Sequence, residues 1–303
     1  MVSRQLVYYT YGSINTKPPF DYPQALTELR DKIQVDPDFA VVKNNDVTTA
    51  VTVMSPGSKT TPAQLQLLAL RDPDHRPSGW RPGARLGPLP LLDGEYPADV
   101  THVAIWPDGI AAQDIHANAP RLGRLSSCLR QLVGAYVTFE PLFRPDMFER
   151  LEQLRGQVRG VEMSLSRQHQ ADTNRGAFGM LLPAVRGERA PSVGVRIGVG
   201  RYGPRDRYLD DATQEAIFEI AEHAYDEVDT LIVRGRNRVT GKSDEINFLG
   251  ERLHVKVDIP AREEVPALPE ESHLFGQLDL AYRDFRSQGL FGKAINAQAM
   301  RTR

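Results

Sequence analysis

The chain has 303 residues, of which 41% are hydrophobic and 25% are charged, and its formal net charge is −2. These values are ordinary for a soluble globular protein that buries a sizeable core. They exclude a global basic field, so any nucleic-acid binding must come from a local patch. The single cysteine, Cys128, excludes an intramolecular disulfide, and its place on an apolar helix seam predicts a buried, inert thiol.

The N-terminal region starts with a strand-like run at Gln5–Tyr11 and not with a signal peptide. No run of about 18 apolar residues occurs in the sequence. We therefore expect a cytoplasmic protein without membrane insertion.

Strand-like and helix-like segments alternate in the first part of the chain. Strands are predicted at Gln5–Tyr11 and Val47–Met54, and helices at Pro23–Ile33 and Pro62–Leu70. Six prolines between residues 73 and 97 then interrupt the pattern. Because proline removes a backbone donor and forbids regular helix, this segment is predicted to be a long ordered loop or an internal connector.

The clearest supersecondary pattern lies at Thr101–Val133. Two β-branched and apolar segments, Thr101–Trp106 and Ile110–Ile115, flank a Pro-Asp-Gly turn and predict a β-hairpin. Leucines at helical spacing then predict a helix that starts at Pro120, with Asn118 as its cap. The pattern indicates a compact hairpin–helix unit.

The second half of the chain also interleaves strands and helices. Strands are predicted at Ala135–Glu140, Val161–Ser166, Val193–Val199, Thr230–Thr240 and Leu253–Ile259. Helices are predicted at Pro145–Leu154 and Asp211–Val228, and around Leu274–Phe285. Because several strands follow each other directly, the pattern predicts an α+β fold of mixed sheets with helices packed on them. We expect two lobes, 1–156 with the hairpin–helix unit and 157–303 with a basic strand.

Signals for a metal, a cofactor or a known catalytic motif are weak. No pair among the seven histidines has helical metal-ligand spacing. Asp114 and His116 share a strand face, and hairpin pairing could bring His102 close to His116, although ordinary polar strand residues are the expected interpretation. No phosphate-binding loop, nucleophile elbow or dinucleotide fingerprint follows a strand. We expect no metal and no cofactor.

Two smaller groups of charged residues have a functional and a structural interpretation. Glu251, Lys256 and Asp258 loosely resemble the carboxylates and lysine of a nuclease, although their spacing fits no such motif well. Arg121 and Arg124, near the start of the predicted helix, either hold an anion or belong to a solvated helix face. Isolated arginines on a helix are usually surface residues, which favours the solvated face.

The strongest local signal is basic. Within Val233–Lys242, a strand period of two places alternate arginines on one face, where their repulsion requires an anion or carboxylates nearby. The loop Arg201–Tyr208 combines further arginines with tyrosines, a mixture that binds phosphates and stacks on bases. The candidate nucleic-acid-binding residues are Arg201, Arg205, Arg207, Arg234, Arg236, Arg238 and Lys242. An acidic helix, Asp211–Val228, lies between the two segments, so mutual neutralisation inside the fold is an alternative.

The hairpin segment THVAIWPDGIAAQDIHANAPRLGRLSSCL is followed late in the chain by GKSDEINFL and LHVKVDIP. This combination resembles a loosely defined group of uncharacterised bacterial proteins found among phage-defence and mobile-element genes, including proteins similar to the DNA-binding component of the Kiwa defence system. The resemblance covers most of the chain from about residue 60. Its motifs are patterns of apolar spacing, so no catalytic residue is carried over. It implies a cytoplasmic bacterial protein that acts with partner proteins or nucleic acid.

These observations predict a non-enzymatic component of a bacterial defence or mobile-element complex, with DNA or RNA bound by the second lobe. Two alternatives stay open at this point. A structural subunit would use the same arginines on an acidic protein partner or in a homo-oligomer. A nuclease would have a site that the sequence does not reveal.

Overall fold

The computed structural model describes residues 1–13, 20–44, 47–71, 78–79, 87–88, 97–116, 120–144, 146–166, 192–200, 204, 206–223, 230–248, 250–263 and 268–294. In chain order the elements are β1 (Val2–Ser13), α1 (Tyr22–Val35), a 3₁₀ turn (Pro37–Ala40), β2 (Val41–Asn44), β3 (Val47–Ser55), β4 (Ala63–Leu70), β5 (Ser78–Gly79), β6 (Gly87–Pro88), β7 (Ala98–Ile105), β8 (Ile110–Ile115), α2 (Leu122–Val133), β9 (Val137–Pro141), α3 (Met147–Leu154), β10 (Val158–Ser166), β11 (Ser192–Gly198), α4 (Asp211–His223), β12 (Thr230–Arg236), β13 (Ser243–Asn247), β14 (His254–Ile259), α5 (Glu271–Ser287) and α6 (Leu290–Lys293).

The chain forms two compact units. Unit 1 comprises Met1–Glu140 and His254–Gln288, and unit 2 comprises Pro141–Leu253 and Gly289–Arg303. The chain returns to unit 1 at β14, because β14 pairs with the N-terminal half of β1. These boundaries differ from the predicted division at residue 156, since α3 precedes that residue and belongs to unit 2.

Unit 1 is built on one large sheet. Its strands lie in the order β14-β1-β8-β7-β4-β3-β2, and each runs antiparallel to its neighbours. The strand β9 also pairs with β1. Along β4 the residues alternate between buried and half-buried, so the two faces of the sheet are covered to different extents.

One face of the large sheet carries the main core of unit 1. The helices α1 and α2 pack there through leucines that are fully buried, among them Leu26, Leu29, Leu125 and Leu129. Cys128 belongs to the same cluster and is 1% exposed. Burial raises the pKa of its thiol to about 12, which keeps it protonated and fits the predicted inert thiol.

The helix α5 packs on the opposite face of the large sheet. Leu274, Phe275 and Leu278 are its buried side chains near the strands. The hydroxyl of Tyr8 donates to the backbone carbonyl of Leu278 at 2.9 Å. Trp106 and Tyr282 stack with ring centroids 4.3 Å apart. These contacts fix α5 on β1 and on the turn of the hairpin formed by β7 and β8.

Unit 2 has a separate core and a smaller sheet of order β11-β10-β12-β13, in which neighbouring strands are antiparallel. Its core joins side chains of α3 and α4 to one face of this sheet. Met147, Leu151 and Leu154 of α3 are fully buried there, and Phe218 of α4 is 2% exposed. The opposite face is called the open face here, and its residues include Gly160, Glu162, Arg196, Gly198, Arg234, Arg236 and Glu245, which are exposed or half-exposed.

The predicted α+β class is confirmed, because helices pack on two antiparallel sheets. The helix predicted at Pro62–Leu70 is wrong, since these residues form β4. Leu65 and Leu67 point into the core, and the half-buried Leu68 and Leu70 belong to the other face. A short apolar run fits either structure, and here pairing with β3 and β7 selects the strand.

Two further predictions are corrected at element ends. The helix α2 begins at Leu122 after Arg121, so Pro120 lies outside it, and Asn118 is not among the described residues. The cap of α4 is Asp210, whose carboxylate accepts from the backbone N–H of Thr213 at 2.9 Å. Asp211, which the sequence predicts as the cap because aspartate is favoured at that position, is instead the first helical residue.

The strands β2 and β13 were not predicted. The proline-rich segment 73–97 lies outside the described residues except at 78–79, 87–88 and 97. Within the described part of the chain, no helix is long and apolar enough to cross a membrane.

Candidate nucleic-acid interface

A groove crosses the open face of unit 2. Its lining includes Arg159, Gly160, Arg196, Gly198, Arg234 and Glu245. Because β10 and β11 are paired with Gly160 opposite Gly198, two residues without side chains lie next to each other on this face. A glycine in a strand often marks a place where a ligand or another backbone approaches closely. The groove therefore has a floor of backbone between flanking arginines.

The two glycines have different amounts of space around them. A Cβ on Gly160 would lie 3.2 Å from the backbone oxygen of Ile197, which is a tight contact. A Cβ on Gly198 would lie 3.5 Å from the oxygen of Arg159, which is ordinary van der Waals contact. Steric packing therefore favours glycine at position 160. At position 198 a larger residue would fit without a clash, and the absence of a side chain there leaves the groove open.

Arg196 is the exposed cation at the β11 side of the groove. Its register partner on β10 is Glu162. The carboxylate of Glu162 instead accepts from Arg234, with Oε2 and Nη1 3.0 Å apart. Arg196 is exposed, and among the described residues its side chain makes no hydrogen bond or ion pair.

Arg234 is bound by carboxylates on both sides. Its Nη1 donates to Glu162 of β10, and its Nε donates to Glu245 of β13 at 2.5 Å. The hydrogen bond to Glu162, and then the one to Glu245, raises the pKa of the Arg234 guanidinium. Carboxylates therefore offset the predicted repulsion among the alternating arginines Arg234, Arg236 and Arg238. They come from the neighbouring strands β10 and β13 and not from the acidic helix.

The predicted stripe of three arginines is shorter than expected. Arg236 is the last residue of β12, and its Nε donates to the carbonyl of Gly241 at 2.7 Å. Arg238 lies beyond the strand, where its Nη2 donates to the carbonyl of Glu152 at 2.9 Å. The strand ends because Asn237 starts a turn, accepting from two following backbone N–H groups with its side-chain oxygen.

The remaining predicted binding residues are only partly described. Arg207 and Lys242 are exposed. Arg201 and Arg205 lie outside the described residues, as does Tyr202. The structure thus places Arg234 and Arg236 on the open face and Arg238 away from it.

The earlier alternatives for other charged residues gain no support from geometry. Arg124 donates to the hydroxyl of Thr49 at 3.4 Å. Glu251 forms an ion pair with Arg150 at 2.7 Å, and Lys256 and Asp258 are exposed residues of β14. Within the described ranges, no group of three or more metal-ligating side chains occurs.

His102 and Asp114 form a buried polar cluster in unit 1, which the sequence predicts only in part. The sequence predicts that hairpin pairing could bring His102 close to His116, but the residue across from His102 is Asp114, whose Oδ1 accepts from the backbone N–H of His102 at 2.6 Å. His102 and Asp114 are each 1% exposed. His116 instead contacts the carbonyl of Val100 through Nε2 at 2.7 Å. The sequence predicts the hairpin, but it does not predict the pairing register that places His102 beside Asp114.

The chain matches no family model, no curated protein and no solved structure with which it was compared. Its function must therefore be inferred from its own residues.

Proposed function

We propose that the chain binds nucleic acid through the phosphate backbone, in the groove on the open face of unit 2. The observation that carries this proposal is the exposed Arg196 beside the side-chain-free floor formed by Gly160 and Gly198. A guanidinium can donate two parallel hydrogen bonds to one phosphate, and a glycine floor lets a sugar–phosphate chain lie close to the sheet.

The chemistry of the groove favours backbone contacts over base recognition. The described residues that line it include no aromatic side chain on which a base could stack. Phosphate contacts fix the position of a nucleic acid but carry no sequence information. The proposed binding is therefore independent of sequence, and it extends to DNA or RNA.

The ion pairs of Arg234 with Glu162 and Glu245 limit the proposed affinity for nucleic acid. Glu162 and Glu245 already occupy its guanidinium, so an incoming phosphate must compete with two carboxylates. This competition predicts modest affinity and a strong dependence on salt. The wider proposal, that the chain is a non-enzymatic component of a bacterial defence or mobile-element complex, is supported by the sequence resemblance alone.

The test is a binding titration of Arg196→Gln against the wild type. Labelled single-stranded DNA, single-stranded RNA and duplex DNA are followed by fluorescence anisotropy over a range of salt concentrations. The wild type should lose affinity steeply with salt, and Arg196→Gln should flatten the log–log slope by about 0.7 on single strands or about 0.9 on duplex DNA.

The matched control is Arg130→Gln, which removes an exposed arginine at the end of α2 in unit 1. It should bind as the wild type does. Equal weakening by both variants would indicate a general charge effect and not a groove. No binding by the wild type at low salt would reject the proposal.

A second candidate is an acidic protein partner, because the open face already binds two carboxylates at Arg234. Polyglutamate of matched length separates the two candidates when it competes against the labelled oligonucleotide. If polyglutamate binds and the oligonucleotides do not, the acidic-partner function replaces the first proposal.

A further inference from the structure

A chain of polar side chains runs from the buried interior of unit 1 to the first turn of α5. It begins with Arg4, whose Nε lies 3.2 Å from Oδ2 of Asp114. It continues from Asp114 to His102, with 3.5 Å between Oδ1 and Nδ1. Gln66 then joins His102 to Glu271, the first residue of α5. This chain of contacts therefore links four strands, β1, β8, β7 and β4, to one helix.

The hydrogen bonds define which ring nitrogen of His102 carries the proton. The amide nitrogen of Gln66 lies 3.4 Å from Nε2 of His102 and 2.5 Å from Oε1 of Glu271. An amide nitrogen has two N–H donors and no acceptor, so Nε2 must offer its lone pair. The ring proton then sits on Nδ1, which lies 3.5 Å from Oδ1 of Asp114 without forming a hydrogen bond.

We infer that His102 is a proton-controlled latch for the start of α5. A proton taken from solvent onto Nε2 turns that atom from an acceptor into a donor. The Gln66 amide must then rotate by half a turn to present its oxygen to His102. The same rotation turns the amide oxygen of Gln66 toward Glu271, in place of the N–H group that donated to it. The hydrogen bond to Glu271 is then lost, and the amide oxygen faces a carboxylate oxygen.

Charged and polar side chains from three neighbouring strands face His102. Asp114 on β8 faces it with a carboxylate, and Arg4 on β1 lies on the far side of that carboxylate. On α5, the ring edge of Phe275 covers the imidazole, with centroids 5.7 Å apart. On β4 the neighbouring group is the neutral Gln66. Asp114 is therefore the carboxylate that faces the ring, and Gln66 is the group that links the ring to α5.

Glu271 keeps one partner when the latch opens. It forms an ion pair with Arg262 in the segment after β14. Its side chain is 26% exposed, so the outer end of the chain of contacts reaches solvent. The expected change is thus a loosening of the first turn of α5, with the buried leucines of the helix still packed on the sheet.

The test measures amide hydrogen exchange in the first turn of α5, at Ser272–Phe275, from about pH 8 to about pH 5, where histidines change charge. Rates are converted to protection factors, which removes the intrinsic pH dependence of exchange. Protection in the wild type should fall by about three- to ten-fold on acidification, as expected for the loss of one hydrogen bond. His102→Gln should show no such fall.

His273 must be removed as a second pH-sensitive group, because its ring contacts Glu270 at the cap of the same helix. All arms therefore carry His273→Gln. Nitrogen-15 shifts of the His102 ring, measured in the His273→Gln protein, follow its tautomer and charge without a substitution at His102, which keeps the test valid if His102→Gln fails to fold. A ring that changes charge while α5 keeps its protection would overturn the latch, as would a ring that never changes charge over this range.

Discussion

Glu270 illustrates how much one exposed side chain organises at the start of α5. Its carboxylate accepts from the side chain of His273, from the backbone N–H of His273 at 2.9 Å and from the hydroxyl of Ser272 at 2.8 Å. These hydrogen bonds, with the His273 side chain as the largest contribution, lower the pKa of Glu270 from 4.5 to about 2. The carboxylate thus satisfies N–H groups that a helix start leaves without partners.

The pKa of Glu270 predicts the pH range in which its cap stabilises the fold. Because the folded-state pKa is lower than the ordinary value, the contribution is fully present above the ordinary carboxyl range and is lost as the pH falls toward about 2. Urea denaturation should show Glu270→Gln to be less stable than the wild type at neutral pH. The difference should vanish near pH 2.

Asp206→Asn is the control for this experiment, since Asp206 is exposed and makes no side-chain hydrogen bond to another described residue. Its effect on the free energy of unfolding should be small at every pH. A difference between Glu270→Gln and the wild type that persists unchanged down to pH 2 would show that the carboxylate charge is not what stabilises the helix start.

The His102–Asp114 pair shows where residue-level prediction from sequence stops. The sequence identifies both strands of the hairpin and the polar side chains on them. Which side chains meet depends on the register, and the observed register pairs Val103 with Gln113, which sets His102 beside Asp114. A shift by two residues would instead have placed His102 beside His116. Turn geometry decides between such registers, and composition alone does not.

At the scale of elements, pairing with neighbouring strands determines whether a segment with an ambiguous sequence pattern forms a strand. The polar strand β13 has one fully buried side chain, Ile246, and pairs only with β12 among the described strands. Its sequence therefore carries little of the alternation that predicts a strand. The strand β4 has the opposite problem, since its leucines fit helix and strand patterns equally. In both cases the neighbours in the sheet supply the missing information.

Gly235 of β12 lies close to the residues that precede β10 in unit 2. A Cβ at this position would lie 2.7 Å from the carbonyl oxygen of Gln157 and 3.3 Å from a methyl group of Leu154. The same carbonyl accepts from the backbone N–H of Arg236 at 3.0 Å, so it cannot move without breaking the contact between the strands. Only a glycine fits between β12 and the start of β10.

We therefore expect Gly235→Ala to lower the free energy of unfolding by about 1–3 kcal/mol, as overpacking does in a dense core. Gly194→Ala is the matched control, because no atom lies within 4 Å of the Cβ it would add. Its effect should stay within about 0.5 kcal/mol. Equal effects of the two substitutions on denaturant unfolding would show that strand propensity, and not the contact with Gln157, sets the requirement at Gly235.

At the scale of the whole molecule, most of unit 2 is an insertion within the sequence of unit 1. The two hydrophobic cores share no residue, since one uses side chains from Phe143 to Phe248 and the other uses side chains from Val7 to Phe139. Sequence patterns predicted most of these strands and helices. They could not predict the return to unit 1, because the pairing of β14 with β1 joins residues about 250 positions apart, and only the folded sheet shows it.

The ends of the insertion lie close together on each side of the boundary. In unit 1, Glu140 contacts Thr10 through its carbonyl at 3.5 Å, and His254 pairs with Val7 on the same strand. In unit 2, the backbone N–H of Leu253 donates to the carbonyl of Leu142 at 2.6 Å. A short connection can therefore join Glu140 to His254 with little loss of loop-closure entropy.

We predict that a chain in which a short Gly-Ser linker replaces residues 141–253, ending at Gln288, folds into the large sheet of unit 1. It should show a cooperative thermal transition, and slow amide exchange should persist along β1 and α5, because its core and the α5 contacts of Tyr8 and Trp106 are all retained. The control is the same chain ending at Ile259. It lacks α5 and exposes the sheet face that the helix covers, including the buried rings of Tyr8 and Trp106, so it should unfold or aggregate. A linked chain that is no better folded than this control would show that unit 1 depends on unit 2 for its stability.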